Sequence, residues 1–63
     1  MRAWWGVTYE KDGTHRMMTA VVTGEMQDGT KVWTECDEHK NLIDIDKQYT
    51  MQRRNNWTEF VRM

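Results

Sequence analysis

The chain has 63 residues and one cysteine, Cys36. That length supports one small domain around one core, and a single cysteine excludes an internal disulfide. Nine Lys and Arg against ten Asp and Glu leave a net charge of −1, which argues against unspecific attraction to nucleic-acid phosphates.

A domain this small needs a metal, a partner, a second copy of itself, or unusually large apolar side chains. Four Trp, two Tyr, one Phe and six Met point to the last route. No apolar run approaches the roughly 20 residues of a membrane helix. The opening Met1-Arg2-Ala3-Trp4 lacks the apolar stretch of a signal peptide, and one unpaired cysteine suits a reducing compartment. The expectation is a complete short gene product of the cytoplasm, folded as a single domain over residues 1–63.

In chain order, the first signals are two Asp-Gly-Thr tripeptides, at Asp12-Gly13-Thr14 and Asp28-Gly29-Thr30. Asp-Gly between alternating residues marks the tip of a β-hairpin. With Asp12-Gly13 as a two-residue loop, Tyr9 faces Arg16, Val7 faces Met18, Trp5 faces Ala20 and Ala3 faces Val22. One face then collects Ala3, Trp5, Val7, Met18, Ala20 and Val22, an expected core. On this register Trp5 is a core residue, whose replacement by Ala costs on the order of 3 kcal/mol. Trp4 falls on the opposite face, beside Val21, and is expected either to touch a partner or to be covered by the C-terminal segment as it closes a small barrel. The second tip places Gly24 opposite Trp33 and Thr23 opposite Thr34, with the indole over the strand glycine. A long strand from His15 to Met26, bent at Gly24 and shared by two hairpins, is typical of small barrels.

Farther on, Asn41 to Asp46 alternates, with Ile43 and Ile45 on one side, and predicts a short strand. Gln48 to Arg54 and Trp57 to Arg62 predict two more strands joined at Asn55-Asn56, with Met51 facing Phe60. The same stretch, 47–63, also admits a helix, with Ile45, Tyr49, Trp57, Phe60 and Val61 on a stripe that Arg53 interrupts. The expected fold is all-β, a small antiparallel meander closing into a five-stranded SH3-like or similar barrel. The alternative is α+β, a three-stranded antiparallel sheet with a C-terminal helix. The SH3-like architecture implies no function by itself.

For chemistry, Cys36, His39 and His15 are the soft metal ligands. A structural zinc site normally shows two ligand pairs, and these supply one pair and a stray, so neither metal nor cofactor is expected. There is no serine, no glycine-rich phosphate loop and no nucleophile elbow. The carboxylates Glu35, Asp37, Glu38, Asp44 and Asp46 cluster at strand ends, where solvated acids sit, so no enzyme is expected.

Tryptophan, tyrosine and arginine dominate protein-binding hot spots. Trp4, Tyr9, Tyr49, Arg53, Arg54 and Trp57 are therefore the expected partner-binding residues. A basic side at Lys47, Arg53, Arg54 and Arg62 against an acidic side suits steered docking to a protein. The expected function is a small non-enzymatic protein-binding module, of the type bacteriophages use to inhibit or modulate a larger host or defence protein. The alternative is a small nucleic-acid-binding barrel that stacks bases on Tyr49 and Trp57 beside Arg53 and Arg54. Self-association, through strand edges or Trp4 to a homodimer, is the third expectation.

Overall fold

Alternating β-branched and aromatic residues make five strands: β1 (Ala3–Tyr9), β2 (His15–Glu25), β3 (Lys31–Cys36), β4 (Gln48–Arg54) and β5 (Trp57–Arg62). The computed structural model describes residues 2–63. The strands follow one another around a closed barrel in chain order. An up-and-down path with an odd number of strands returns with first and last parallel. So β1 and β5 close the barrel as a parallel pair, Val7 beside Glu59 and Thr8 beside Phe60, while the other pairings are antiparallel.

The all-β expectation matches this architecture, and the α+β alternative is excluded. Strands β4 and β5 run over the expected residues, and Met51 faces Phe60. Asn55 takes a φ of 38° at the turn between them, a conformation asparagine tolerates better than most residues.

The first hairpin departs from its expected register by one residue. The N–H of Glu10 donates to the Thr14 carbonyl at 2.7 Å, and that of Gly13 to the Glu10 carbonyl at 3.1 Å. The loop is therefore Lys11, Asp12 and Gly13, with Gly13 at φ 88°, the left-handed position that closes a three-residue hairpin. Asp12 Oδ1 accepts from the Thr14 N–H at 3.0 Å and from its hydroxyl at 2.6 Å. Met26 to Thr30 repeats the same hydrogen bonds, with Asp28 Oδ1 accepting from the Thr30 N–H at 2.9 Å.

One residue of slip moves one strand's side chains to its other face. Val7 pairs with Met17, Trp5 with Thr19 and Ala3 with Val21. Of the β2 half of the expected core, Met18 and Ala20 are buried but Val22 is 37% exposed, and the β1 half is reversed. Trp4, Gly6 and Thr8 point inward, and Trp5 is exposed rather than core. The core is Met18, Ala20, Tyr49 and Phe60, with Trp4, Trp33 and Met51 packed against it.

In the second hairpin the ladder shifts between Val22 and Gly24. Trp33 pairs with Val22, not Gly24, and its ring lies 5.7 Å from Phe60, tilted by 57°. Thr23 drops out of the ladder, yet its hydroxyl meets that of Thr34 at 2.7 Å. The other face of β2 and β3 is buried too, at Val21, Val32, Thr34 and Cys36. Gln48 donates to both the Thr34 hydroxyl and the Ile45 carbonyl, tying the preceding loop to that face.

Residues 41–46 are not a strand. Only a Cys36–Leu42 bridge pairs there, and Ile43 and Ile45 are exposed. Asp37 Oδ1 accepts from the N–H groups of His39 and Asn41, and Asp44 Oδ1 from that of Asp46. Aspartate turns of this kind take up backbone donors that a strand needs.

Barrel closure depends on Gly6. A Cβ there would lie 2.7 Å from the Thr58 carbonyl oxygen and 2.9 Å from Phe60 Cε2. Gly6→Ala is expected to destabilise the fold by about 1–3 kcal/mol, the scale of overpacking. Trp4→Ala is expected to cost on the order of 3 kcal/mol and Trp5→Ala within about 0.5 kcal/mol. Urea titrations measure all three, and an unchanged midpoint for Gly6→Ala contradicts the closure account.

The turns carry a pH dependence. Asp12 is held below the ordinary carboxylate range chiefly by the Thr14 hydroxyl, Asp28 by the Thr30 N–H and Asp37 by the Asn41 N–H. Depressed folded values make these contributions complete above the unfolded value near 3.8. They are lost as pH falls through the lower folded values. The urea midpoint is expected to drop below about pH 4, and less steeply in Asp12→Asn, whose side chain does not titrate.

Candidate interaction surface

Alternation along β1 turns Trp5, Val7 and Tyr9 outward. Their antiparallel partners on β2 are Thr19, Met17 and His15, and Trp57 opens β5 beside them. The result is a continuous strip of large side chains: Trp5 is 66% exposed, Met17 58%, Tyr9 50% and Trp57 40%. Val7, Tyr9, His15 and Trp57 line a shallow recess of about 300 Å³. The Tyr9 and His15 rings lie 5.7 Å apart at 48°. A second recess of about 150 Å³ lies between Trp5 and Trp57, edged by Trp4, Arg53, Asn56 and Thr58.

The cations around this strip differ in their state. Arg53 sits 6.0 Å from the centre of the Trp4 ring, and Arg2 sits 5.6 Å from it. Trp4 Nε1–H donates to the Thr58 hydroxyl at 3.0 Å. Among the described residues Arg53 makes no ion pair, whereas Arg54 pairs with Glu59. Lys47 lies 4.0 Å from Asp44.

The six expected contact residues do not form one patch. Tyr9 and Trp57 lie on the strip and Arg53 borders it. Trp4 is inward, locked by its hydrogen bond, and reaches the surface only at the edge of the smaller recess. Tyr49 is 3% exposed, its ring 6.4 Å from Phe60 in an edge-on contact. Neither Trp4 nor Tyr49 presents a free aromatic face, because both rings fill the barrel. Trp5, Val7, Met17 and His15 complete the strip and were not expected there. The signal that finds them is the three-residue hairpin loop, which sets Trp5 outward.

At the other end of the barrel Arg16 grips Glu35 with two parallel hydrogen bonds, at 2.9 and 3.0 Å, and Glu10 at 2.7 Å. Hydrogen bonds to Glu35 first, then to Glu10, raise the guanidinium pKa further above its ordinary value. Cys36 is buried, while His39 is exposed on the turn beside Glu38. Burial first, and the charges of Asp37 and Glu35 second, raise the Cys36 pKa. Among the described residues no three metal-binding side chains converge.

No protein-family model, curated protein or solved structure matches this chain. Its chemistry rests on its own surface. None of the described residues belongs to a helix long and apolar enough to cross a membrane. The Cys36 thiol, buried and kept protonated, is a poor nucleophile. An aromatic disulfide reagent at pH 8 is expected to react with it much more slowly in the folded protein than in denaturant. Equal rates contradict its burial.

Proposed function

We propose that this protein is a small non-enzymatic protein-binding module whose contact surface is the outer face of β1, β2 and β5. The observation that carries the reading is the strip of Trp5, Tyr9, Met17 and Trp57, large side chains exposed side by side on paired strands. Indole and phenol rings supply much contact area at low entropic cost, and methionine adapts to irregular partners. Strands hold them in place before binding, which lowers the ordering cost. An interface of ordinary size takes about 800 Å² per partner, a modest fraction of the 4780 Å² this chain exposes. Arg53, without an ion pair among the described residues, borders the strip. The partner we propose is a larger protein with an apolar surface edged by acidic side chains. The consequence we propose is inhibition or modulation of that partner, the phage-type role.

Two observations weigh against the nucleic-acid alternative. The Tyr49 ring is buried and Arg54 is paired with Glu59. Of the four residues that reading needs, Arg53 and Trp57 stay available.

Trp5→Ala and Trp57→Ala are each expected to weaken capture of a host protein by about tenfold or more, with thermal midpoints close to the parent. The measurement is affinity capture from nuclease-treated lysate, followed by titration of the captured protein. Capture that survives both substitutions, or that nuclease abolishes, overturns the reading. So does light scattering that shows a dimer dispersed by Trp5→Ala, since the strip is then occupied by a second copy.

A further inference from the structure

At the end of the barrel away from Trp4, β1 and β5 finish and β4 begins. The inward side chains there are Thr8, Arg62 and Tyr49. Lys11, from the first hairpin loop, and Lys47, just before β4, stand around them. With Tyr9 and Glu10 they line a cavity of about 210 Å³. This cavity shares only Tyr9 with the aromatic recess.

Three cations line it against one carboxylate. That carboxylate, Glu10, is engaged by Arg16 at 2.7 Å. Lys47 has Asp44 at 4.0 Å, and neither Lys11 nor Arg62 has an ion-pair partner among the described residues. The floor is also unusual. Thr8 and Tyr49 are 2% and 3% exposed, yet no hydrogen bond among the described residues engages either hydroxyl. Neither oxygen is sealed away from solvent without a partner, and both residues line the cavity. Polar groups held so deep normally find a partner in the protein or in ordered water. Here the open direction leads toward a ring of positive charge.

We propose that this mouth is a phosphoryl-binding pocket, with the Thr8 and Tyr49 hydroxyls donating from its floor and Lys11, Lys47 and Arg62 from its rim. A phosphate monoester carries about −1.5 to −2 charges and three acceptor oxygens, which matches several cations and two hydroxyls. A carboxylate has one charge and two oxygens, and leaves part of that set unused. The volume lies below the roughly 300 Å³ of the smallest common ligand pockets. The pocket therefore takes the phosphoryl group, and the remainder of a small ligand leaves past the half-exposed Tyr9 ring. This inference stands apart from the protein-binding reading.

The test is a titration of the whole protein, followed by the amide signals of residues 8–11, 47–49 and 62. The probes are inorganic phosphate, phenyl phosphate and acetate at matched ionic strength. Saturable shifts confined to those amides are expected with both phosphates, phenyl phosphate binding more tightly and acetate at least about tenfold more weakly. Affinity is expected to rise as pH passes the second phosphate ionisation near 6. Lys11→Gln and Arg62→Gln, both exposed and harmless to the core, are each expected to reduce affinity by about tenfold. Thr8→Val removes a floor donor and keeps the shape. Absence of saturation, equal response to acetate, or unchanged affinity in both Lys11→Gln and Arg62→Gln overturns the pocket. Phosphate and phenyl phosphate of equal affinity sink the part assigned to Tyr9.

Discussion

Phe60 lies over a position where β1 has no side chain. It is 1% exposed, and the space it fills is the space a Cβ on Gly6 would take. The same glycine lets the Thr58 carbonyl approach the β1 backbone. Among the described residues only two pairs join β1 to β5 in register. Closure of the barrel is therefore a short parallel seam, and a seam that short gains most of its free energy from the ring packed behind it rather than from its hydrogen bonds. The Phe60 ring in turn sets the positions of Tyr49 and Trp33, whose rings lie 6.4 and 5.7 Å away.

That packing decides which side of β1 carries bulk. Inward, the strand offers Trp4 at one end, nothing at Gly6 and a small hydroxyl at Thr8. The interior is filled from the opposite strands, so the large outward residues of β1 have no place inside. Trp5 and Tyr9 stay in solvent as a consequence, and Met17 joins them as the pairing partner of Val7. The two ends of the barrel also become chemically different. One is closed by the Trp4 ring, with Arg2 and Arg53 over it at 5.6 and 6.0 Å from its centre. The other is held by the Arg16–Glu35 clasp and sets the Thr8 and Tyr49 hydroxyls beside Lys11 and Arg62, which have no ion-pair partner among the described residues. Arg16 ties β2 to β3 there without covering the mouth.

Much of this architecture was legible in the residues. Both hairpin tips are where Asp-Gly places them, and β4 and β5 have the limits and the pairing that Asn55-Asn56 and the Met51–Phe60 match imply. Loop length was not legible. Asp12 uses its carboxylate to accept from Thr14, and so a third residue enters a loop that Asp-Gly alone makes with two. Both faces of β1 are apolar enough to be a core, so hydrophobicity could not reject the wrong register. The missing criterion was volume: only the face with Gly6 leaves room for Phe60. Ile43 and Ile45 misled for a different reason. Their alternation is real, but Asp37 and Asp44 have taken backbone donors into turns. Tyr49 was placed at a surface by its basic neighbours, whereas its pairing with Trp33 and Arg62 sets its ring inside.

Because the outer strip and the core are opposite sides of the same strand, stability and the binding proposed for the strip separate by residue parity along β1. Even positions from Trp4 to Thr8 contact the barrel interior or its mouth, and odd positions from Trp5 to Tyr9 contact solvent. Substitutions on opposite faces of a strand share few partners, and effects without shared partners add. Tyr9 is the exception, since it lines both the aromatic recess and the cationic mouth. An occupant of the mouth that orders the Tyr9 ring changes one wall of the strip as well. By linkage, whatever factor such an occupant applies to the affinity of a ligand on the strip, that ligand applies to the occupant in return. Among the described residues, Tyr9 is thus the side chain that the aromatic recess and the cationic mouth share, and any coupling between ligands at the two passes through its ring.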